Sequence, residues 1–259
     1  MKIKTLAFAA MLAAVAQTQA SVDVNGYAYM SAAGAEPWNS NSNLAAMDAA
    51  FGAGKWDRLD FGDDIAPYMM VYIDGSAAAG VDFASYIDAN RGALESYVTG
   101  GGHLFLNAGT WGLDGQTRGL LFGATTTEGG SGYSATGQLT TAGLPLSANG
   151  AGTNWSGNWF AHNAIGTGAG FTTFITGASQ DAVLAGRTFG DGYLLLAGQA
   201  STNWHASVNG SNPFQLRVNE LSFISGSLTS AVPEPERCAL MLSGLAALAS
   251  LARRRQPGL

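Results

Sequence analysis

Asp74, Asn107, Thr110, Trp111, Gln199, Trp204 and His205 are the side chains of this 259-residue chain best placed for chemistry, because each follows a segment that reads as a β-strand. Ligands of an open α/β sheet bind beyond the carboxyl ends of its strands, so these residues could line one cleft. There a Thr110 nucleophile with His205 as its base is one arrangement, and His205 working with Asp74 is another. A second pattern points to binding instead. Asn154-Trp155, Asn158-Trp159 and Asn203-Trp204 each set an amide beside an indole. An indole face stacks on the apolar face of a sugar ring while the amide reaches its hydroxyls. The ligand-binding candidates are therefore Asn107, Trp111, Trp155, Trp159, Gln199 and Trp204. The plainer reading is that these indoles pin long loops to the domain.

Other chemistries are excluded or reduced. The only cysteine is Cys238, close to the carboxyl terminus, which leaves the body without a thiol nucleophile, a disulfide or a thiolate metal site. His103, His162 and His205 are far apart in sequence, without the close spacing of a shared helical metal site, so a histidine metal centre could arise only through the fold. Asp57, Asp60, Asp63 and Asp64 lie close together but lack the alternating acidic pattern and later glutamate of a calcium loop, so they read as a solvated acidic loop. Neither a metal nor a cofactor is expected. Residues 21–232 carry six basic against sixteen acidic side chains, a formal charge of −10 that repels phosphate backbones. Nucleic acid is thereby excluded as a partner.

The elements that must position the site can be read from apolar patterning. Residues 22–30 alternate as a strand does, and 44–51 suit a helix with Asn43 as its cap. Residues 56–61 suit a short edge strand. The unbroken run Met69-Met70-Val71-Tyr72-Ile73 is what a strand covered on both faces requires. Asp88 can cap a helix carrying Leu94, Tyr97 and Val98, which Gly100-Gly101-Gly102 ends before a second buried strand at 103–107. A strand, helix and strand in that order form a parallel crossover unit. Residues 182–197 read as a hairpin turning at Phe189-Gly190-Asp191-Gly192, and a last helix runs from Pro213 to about Ile224. The Gly-, Thr-, Ser- and Asn-rich stretch 123–170 receives no assignment.

The segment Tyr97-Val98-Thr99-Gly100-Gly101-Gly102-His103-Leu104-Phe105-Leu106-Asn107-Ala108-Gly109 resembles the helix, glycine turn and strand of class I glutamine amidotransferase-like domains, including the ThuA-like group. The resemblance implies an α/β, flavodoxin-like fold: a mostly parallel sheet with helices on both faces, long loops and a late hairpin. It also implies a cysteine on the turn after the strand, and a histidine with an acid from a later loop. Here the turn is Ala108-Gly109-Thr110-Trp111-Gly112, and Ser207 stands where the acid would be. Amidotransferase chemistry is not expected, and the reading favours a non-catalytic role over a ThuA-like hydrolase or isomerase using His205 and Asp74.

Both ends read as addresses. Lys2 and Lys4 precede an apolar stretch and small residues, the layout of a signal peptide over residues 1–20. At the other end come Pro233, Glu234 and Pro235, an apolar run from Ala239 to Ala252, and Arg253, Arg254 and Arg255. This tail resembles the PEP-CTERM sorting signal of Gram-negative bacteria. The organisation expected is signal peptide 1–20, exported domain 21–228 and sorting tail 229–259 with a short transmembrane helix. The resemblance implies the Sec machinery and an exosortase as partners, a transient inner-membrane anchor, and delivery to the cell surface or an extracellular matrix containing exopolysaccharide.

Overall fold

Residues 26–226 are described by a computed structural model, apart from 33–35, 38–39, 77–79, 111–115, 130–135, 157–159 and 201–211. Among the described residues the strands are β1 (Tyr27–Ser31), β2 (Asp57–Asp60), β3 (Met70–Asp74), β4 (His103–Asn107), β5 (Thr117–Gly119), β6 (Thr125–Glu128), β7 (Thr136–Leu139), β8 (Asn154–Ser156), β9 (Asn163–Gly166), β10 (Thr172–Gly177), β11 (Ala182–Phe189) and β12 (Gly192–Ala197). The helices are α1 (Ser42–Phe51), α2 (Gly80–Thr99) and α3 (Pro213–Ile224).

The sheet runs β2-β1-β3-β4-β12-β11-β10-β7-β8, with β9 joining β11 to a β6–β5 flap. Its first five strands pair in parallel. From β12 outward every pairing is antiparallel. The fold is thus mixed α/β, and the expectation of a mostly parallel sheet holds for one half only. The other half is built from the hairpin and from the stretch 123–170. Strands there have only three to six residues, with the exception of the eight-residue β11. Their Thr- and Gly-rich sequences lack the apolar alternation that would mark them.

The central strands are apolar without a break because both faces are covered. Tyr29, Met70, Tyr72, Phe105 and Leu195 join Met47 of α1 and Leu216, Leu221 and Ile224 of α3 in one core. The alternate residues Met30, Val71, Ile73, Leu104, Leu106, Leu194 and Leu196 join Phe83, Ile87, Leu94 and Val98 of α2 in the other. A period of two along each strand therefore sorts side chains between two helical layers.

Two local expectations are corrected. Asp88 is not a cap, because α2 begins at Gly80 and Asp88 lies within it, paired with Arg91 at 3.0 Å. Asn43 does not cap α1 either; it lies inside the helix, and its side chain points into the sheet's polar edge. The cap of α3 is Asn212, whose Oδ1 accepts from the Gln215 N–H at 3.1 Å, with Pro213 in the position where a missing N–H costs nothing. In the hairpin, Phe189 pairs with Gly192, and Gly190 takes a φ of 59° that side-chain-bearing residues avoid.

The described chain enters at Gly26 and leaves at Gly226. Tyr27 and Ser225, next to these ends, line the same groove at the amino-terminal ends of β1, β3 and β4, opposite the edge where Asp74 and Asn107 stand.

Candidate functional site

Asp74 is the last residue of β3 and Asn107 the last of β4, and the parallel register places them side by side. Gln199 follows β12, the next strand over, and the Asn107 amide donates to its backbone carbonyl at 3.1 Å. The sheet thus brings Asp74, Asn107 and Gln199 together. Thr110 lies two residues beyond Ala108, whose N–H donates to Ala197 O. Trp111, Trp159, Trp204 and His205 lie outside the described residues, as do Pro233, Glu234, Pro235, Arg253, Arg254 and Arg255.

Asp74 has no exposed surface, and its carboxylate collects five hydrogen bonds. Oδ2 accepts from the Tyr72 hydroxyl at 2.9 Å and, through a very short contact, from Asn43 Nδ2. Oδ1 accepts from the Ser76 N–H at 2.8 Å, the Ser76 hydroxyl at 2.5 Å and Asn107 Nδ2 at 3.3 Å. A carboxylate offers about four lone-pair positions, so this one is saturated by protein donors. It has nothing left with which to orient a histidine or take a substrate proton.

Thr110 is also enclosed. Its hydroxyl accepts from Asn163 Nδ2 at 3.1 Å, and its side chain is 1% exposed. An amide donor cannot remove the hydroxyl proton, so the group facing Thr110 is the wrong chemistry for a nucleophile's base. Space is short as well. A Cβ added to Gly109 would sit 2.1 Å from Gln199 O, and one added to Gly198 would sit 2.0 Å from Asn163 O. The loops after β4 and β12 close on each other backbone to backbone where an open α/β sheet would hold its ligand.

Trp155 is corrected outright. It is 1% exposed and stacks on Phe160 with ring centroids 5.5 Å apart, inside the core beneath α3. Its indole anchors β8 and is not available to a sugar.

The network reaches past the residues singled out from sequence. Asn43 Nδ2 donates to the Tyr29 hydroxyl at 3.2 Å, which donates to Glu36 at 3.0 Å. Arg58 lies over the Tyr29 ring at 4.9 Å, with Nε 3.2 Å from Glu36 and Nη2 2.6 Å from Ser31 Oγ. Across the sheet edge, Gln199 Nε2 donates to Glu220 Oε1 at 2.6 Å. Arg217 faces Glu220 Oε2 at 3.5 Å and lies over the Tyr72 and Phe105 rings at 5.1 and 5.0 Å. Burial pushes the Tyr29 and Tyr72 hydroxyls well above the usual tyrosine range, with the Asp74 charge adding to the effect and Arg217 opposing it at Tyr72. Burial also raises the Glu220 carboxyl, against the pull of Arg217 and Gln199. Burial alone would lower Arg217, but Tyr72 and Glu220 more than compensate, so its guanidinium stays charged.

Sequence reasoning missed Tyr29, Asn43, Tyr72, Ser76, Arg217 and Glu220. Two signals were present: Tyr72 and Asp74 share one face of a strand, and Arg217 and Glu220 are a charged pair three apart in a helix otherwise built for burial. Among the described residues, no group of three or more histidine, cysteine or acidic side chains could hold a metal ion. No helix among them is long and apolar enough to cross a membrane.

No protein-family model and no curated protein matches the chain. Several solved structures are similar at low identity. A ThuA-like protein from Parabacteroides merdae is 14% identical over 80% of this chain and 92% of its own, with a TM-score of 0.44. A GMP synthase component from Thermoplasma acidophilum is 9% identical over 79% of this chain and 98% of its own, with a TM-score of 0.45. A β-galactosidase from Bacillus circulans is 13% identical over 79% of this chain, with a TM-score of 0.44, and the chain spans 32% of its length.

Proposed function

We propose that this chain is an exported, exosortase-processed protein of a Gram-negative envelope or extracellular matrix. Its body is a non-catalytic domain of the flavodoxin-like, glutamine amidotransferase-like kind. The observation that carries the non-catalytic reading is the enclosure of the strand-end residues. Asp74 is saturated by five donors, and Thr110 faces an amide instead of a base. The lack of any cysteine before Cys238 supports it too. These same facts weigh against a hydrolase or isomerase built on Asp74.

Export and sorting rest on the two ends of the sequence, whose charged, apolar and proline-bearing parts occur in the order a cleavable leader and a membrane-held tail need. Exopolysaccharide is the partner that best suits the indole and amide pairs left once Trp155 is assigned to the core, namely Asn158-Trp159 and Asn203-Trp204, with Trp111. Deletion of residues 233–259 tests the sorting half. On a fractionated immunoblot the shortened protein should lose membrane association and its processing step; unchanged fractionation and size would refute the tail's role. Retention of the purified protein on the producer's own exopolysaccharide tests the other half. Trp204→Ala should weaken retention and Trp155→Phe should not, and the reverse order would refute the assignment.

A further inference from the structure

A groove of about 880 Å³ opens at the amino-terminal ends of β1, β3 and β4, on the side of the sheet away from Asp74. Tyr27, Ile65, Met69, Tyr97 and His103 line it together with Ser225. Met69 is 63% exposed, among the few large apolar side chains so open among the described residues. Its backbone is held firmly, since Met69 N–H and Met70 N–H both donate to Gly26 O, at 2.9 and 3.2 Å. Tyr97 is fixed as well, with its hydroxyl donating to Tyr68 O at 3.1 Å. His103 Nδ1 contacts Ile224 O and ties the rim to the last residue of α3. The groove is a built surface with a rigid wall and an exposed thioether.

We propose that the groove is the seat of the chain's own segment Ser227–Val232. The argument rests on where the described chain ends. Ser225 is a groove residue, and the segment begins two positions after it, with only Gly226 between at a φ of 75°. A tethered segment needs little affinity, because the short connection holds it at an effective concentration in the millimolar range. Its composition fits: Ser227-Leu228-Thr229-Ser230-Ala231-Val232 has no charge, and extended it puts Leu228 and Val232 on one face. Six extended residues cover about 20 Å. Pro233 follows, lacks an N–H and stops any further strand-like pairing, so the Pro233-Glu234-Pro235 triplet would emerge from the end of the seat at a set distance from the domain.

The test uses the full-length protein and the exposed thioether as reporter. Limited oxidation with hydrogen peroxide is followed by peptide mass spectrometry in the natural chain and in Leu228→Asp/Val232→Asp. Docking of half or more of the molecules makes Met69 oxidise about two- to five-fold faster in the variant. Met30, Met47 and Met70, all without exposed surface, report that the domain stays folded in both. Equal Met69 rates with those three protected would overturn the proposal. A second arm places Leu228→Cys with Met69→Cys in a Cys238→Ser background. A disulfide should form there and should not form when the partner is Val81→Cys, an exposed residue on α2. Equal yields from the two pairs would overturn the proposal as well.

Discussion

Asp74→Asn separates a structural carboxylate from a catalytic one. The native side chain receives five donors, two on Oδ2 and three on Oδ1. An asparagine that keeps its oxygen on the Ser76 side points an NH2 at the Tyr72 hydroxyl and the Asn43 amide. Both donors then face a donor in a site with no access to water. Hydrogen bonds to a charged acceptor contribute about 1.5–3 kcal/mol each, and a buried donor left alone costs about 1–3 kcal/mol. Rotation of the Tyr72 hydroxyl and an amide flip at Asn43 recover part of the loss, leaving about 3 kcal/mol. For a domain of this size that lowers Tm by about 6–12 °C. Urea and thermal unfolding followed by near-ultraviolet circular dichroism, which sees Tyr29 and Tyr72, provide the measurement. A variant as stable as the natural protein, or more stable, would refute the reasoning, because a catalytic carboxylate is commonly removed without loss of stability and a structural hub is not.

Three further outcomes follow from the same geometry. Trp155→Ala should destabilise the domain by about 3–5 kcal/mol through loss of a buried ring stacked on Phe160, measured by urea midpoint, while Trp155→Phe should cost much less. Gly109→Ala should lower stability by about 2 kcal/mol or more, since the new Cβ would overlap Gln199 O and neither backbone can yield freely; an unchanged midpoint would mean the two loops are not in contact. Burial raises the folded Glu220 carboxyl above its unfolded value, so its contribution to stability is fully present below the unfolded carboxylate range and is lost as pH rises through the raised folded value. Glu220→Gln should therefore remove part of the decline in unfolding free energy on going from acid to neutral pH. The slope is the readout, and identical slopes would contradict it.

The parallel half of the fold was legible because burial on both faces leaves an unbroken apolar signature at Met70–Ile73 and Leu104–Leu106, and a two-residue glycine turn marks the hairpin. The start of α2 was hidden. Its Phe83, Ile87, Leu94 and Val98 fall on one helical stripe, but Asp88 resembles a cap and draws the boundary eight residues late. The antiparallel half was hidden for another reason. A three-residue strand such as Asn154–Ser156 has too little length for a period to be seen, and its partners lie in distant sequence. The strand-end cluster was half legible. Asp74, Asn107 and Gln199 follow from topology, whereas the two donors on Asp74 Oδ2, Asn43 and Tyr72, arrive from α1 and from a neighbouring position on β3, which linear reading does not join. No local rule separates a buried indole from an exposed one, which is why Trp155 was misplaced.

β12 is the seam of the sheet, parallel to β4 on one side and antiparallel to β11 on the other. Seven other strands separate it from β4 in the chain, so the outer edge of β4 stays bare until nearly the whole domain has been made. A polypeptide delivered amino end first would hold four matched strands with the outer edge of β4 unpaired, and loop-closure entropy would favour a loose state until Ala197 arrives. Such a chain is slow to lock, because its longest connection must close before the sheet is continuous and the final helix can settle.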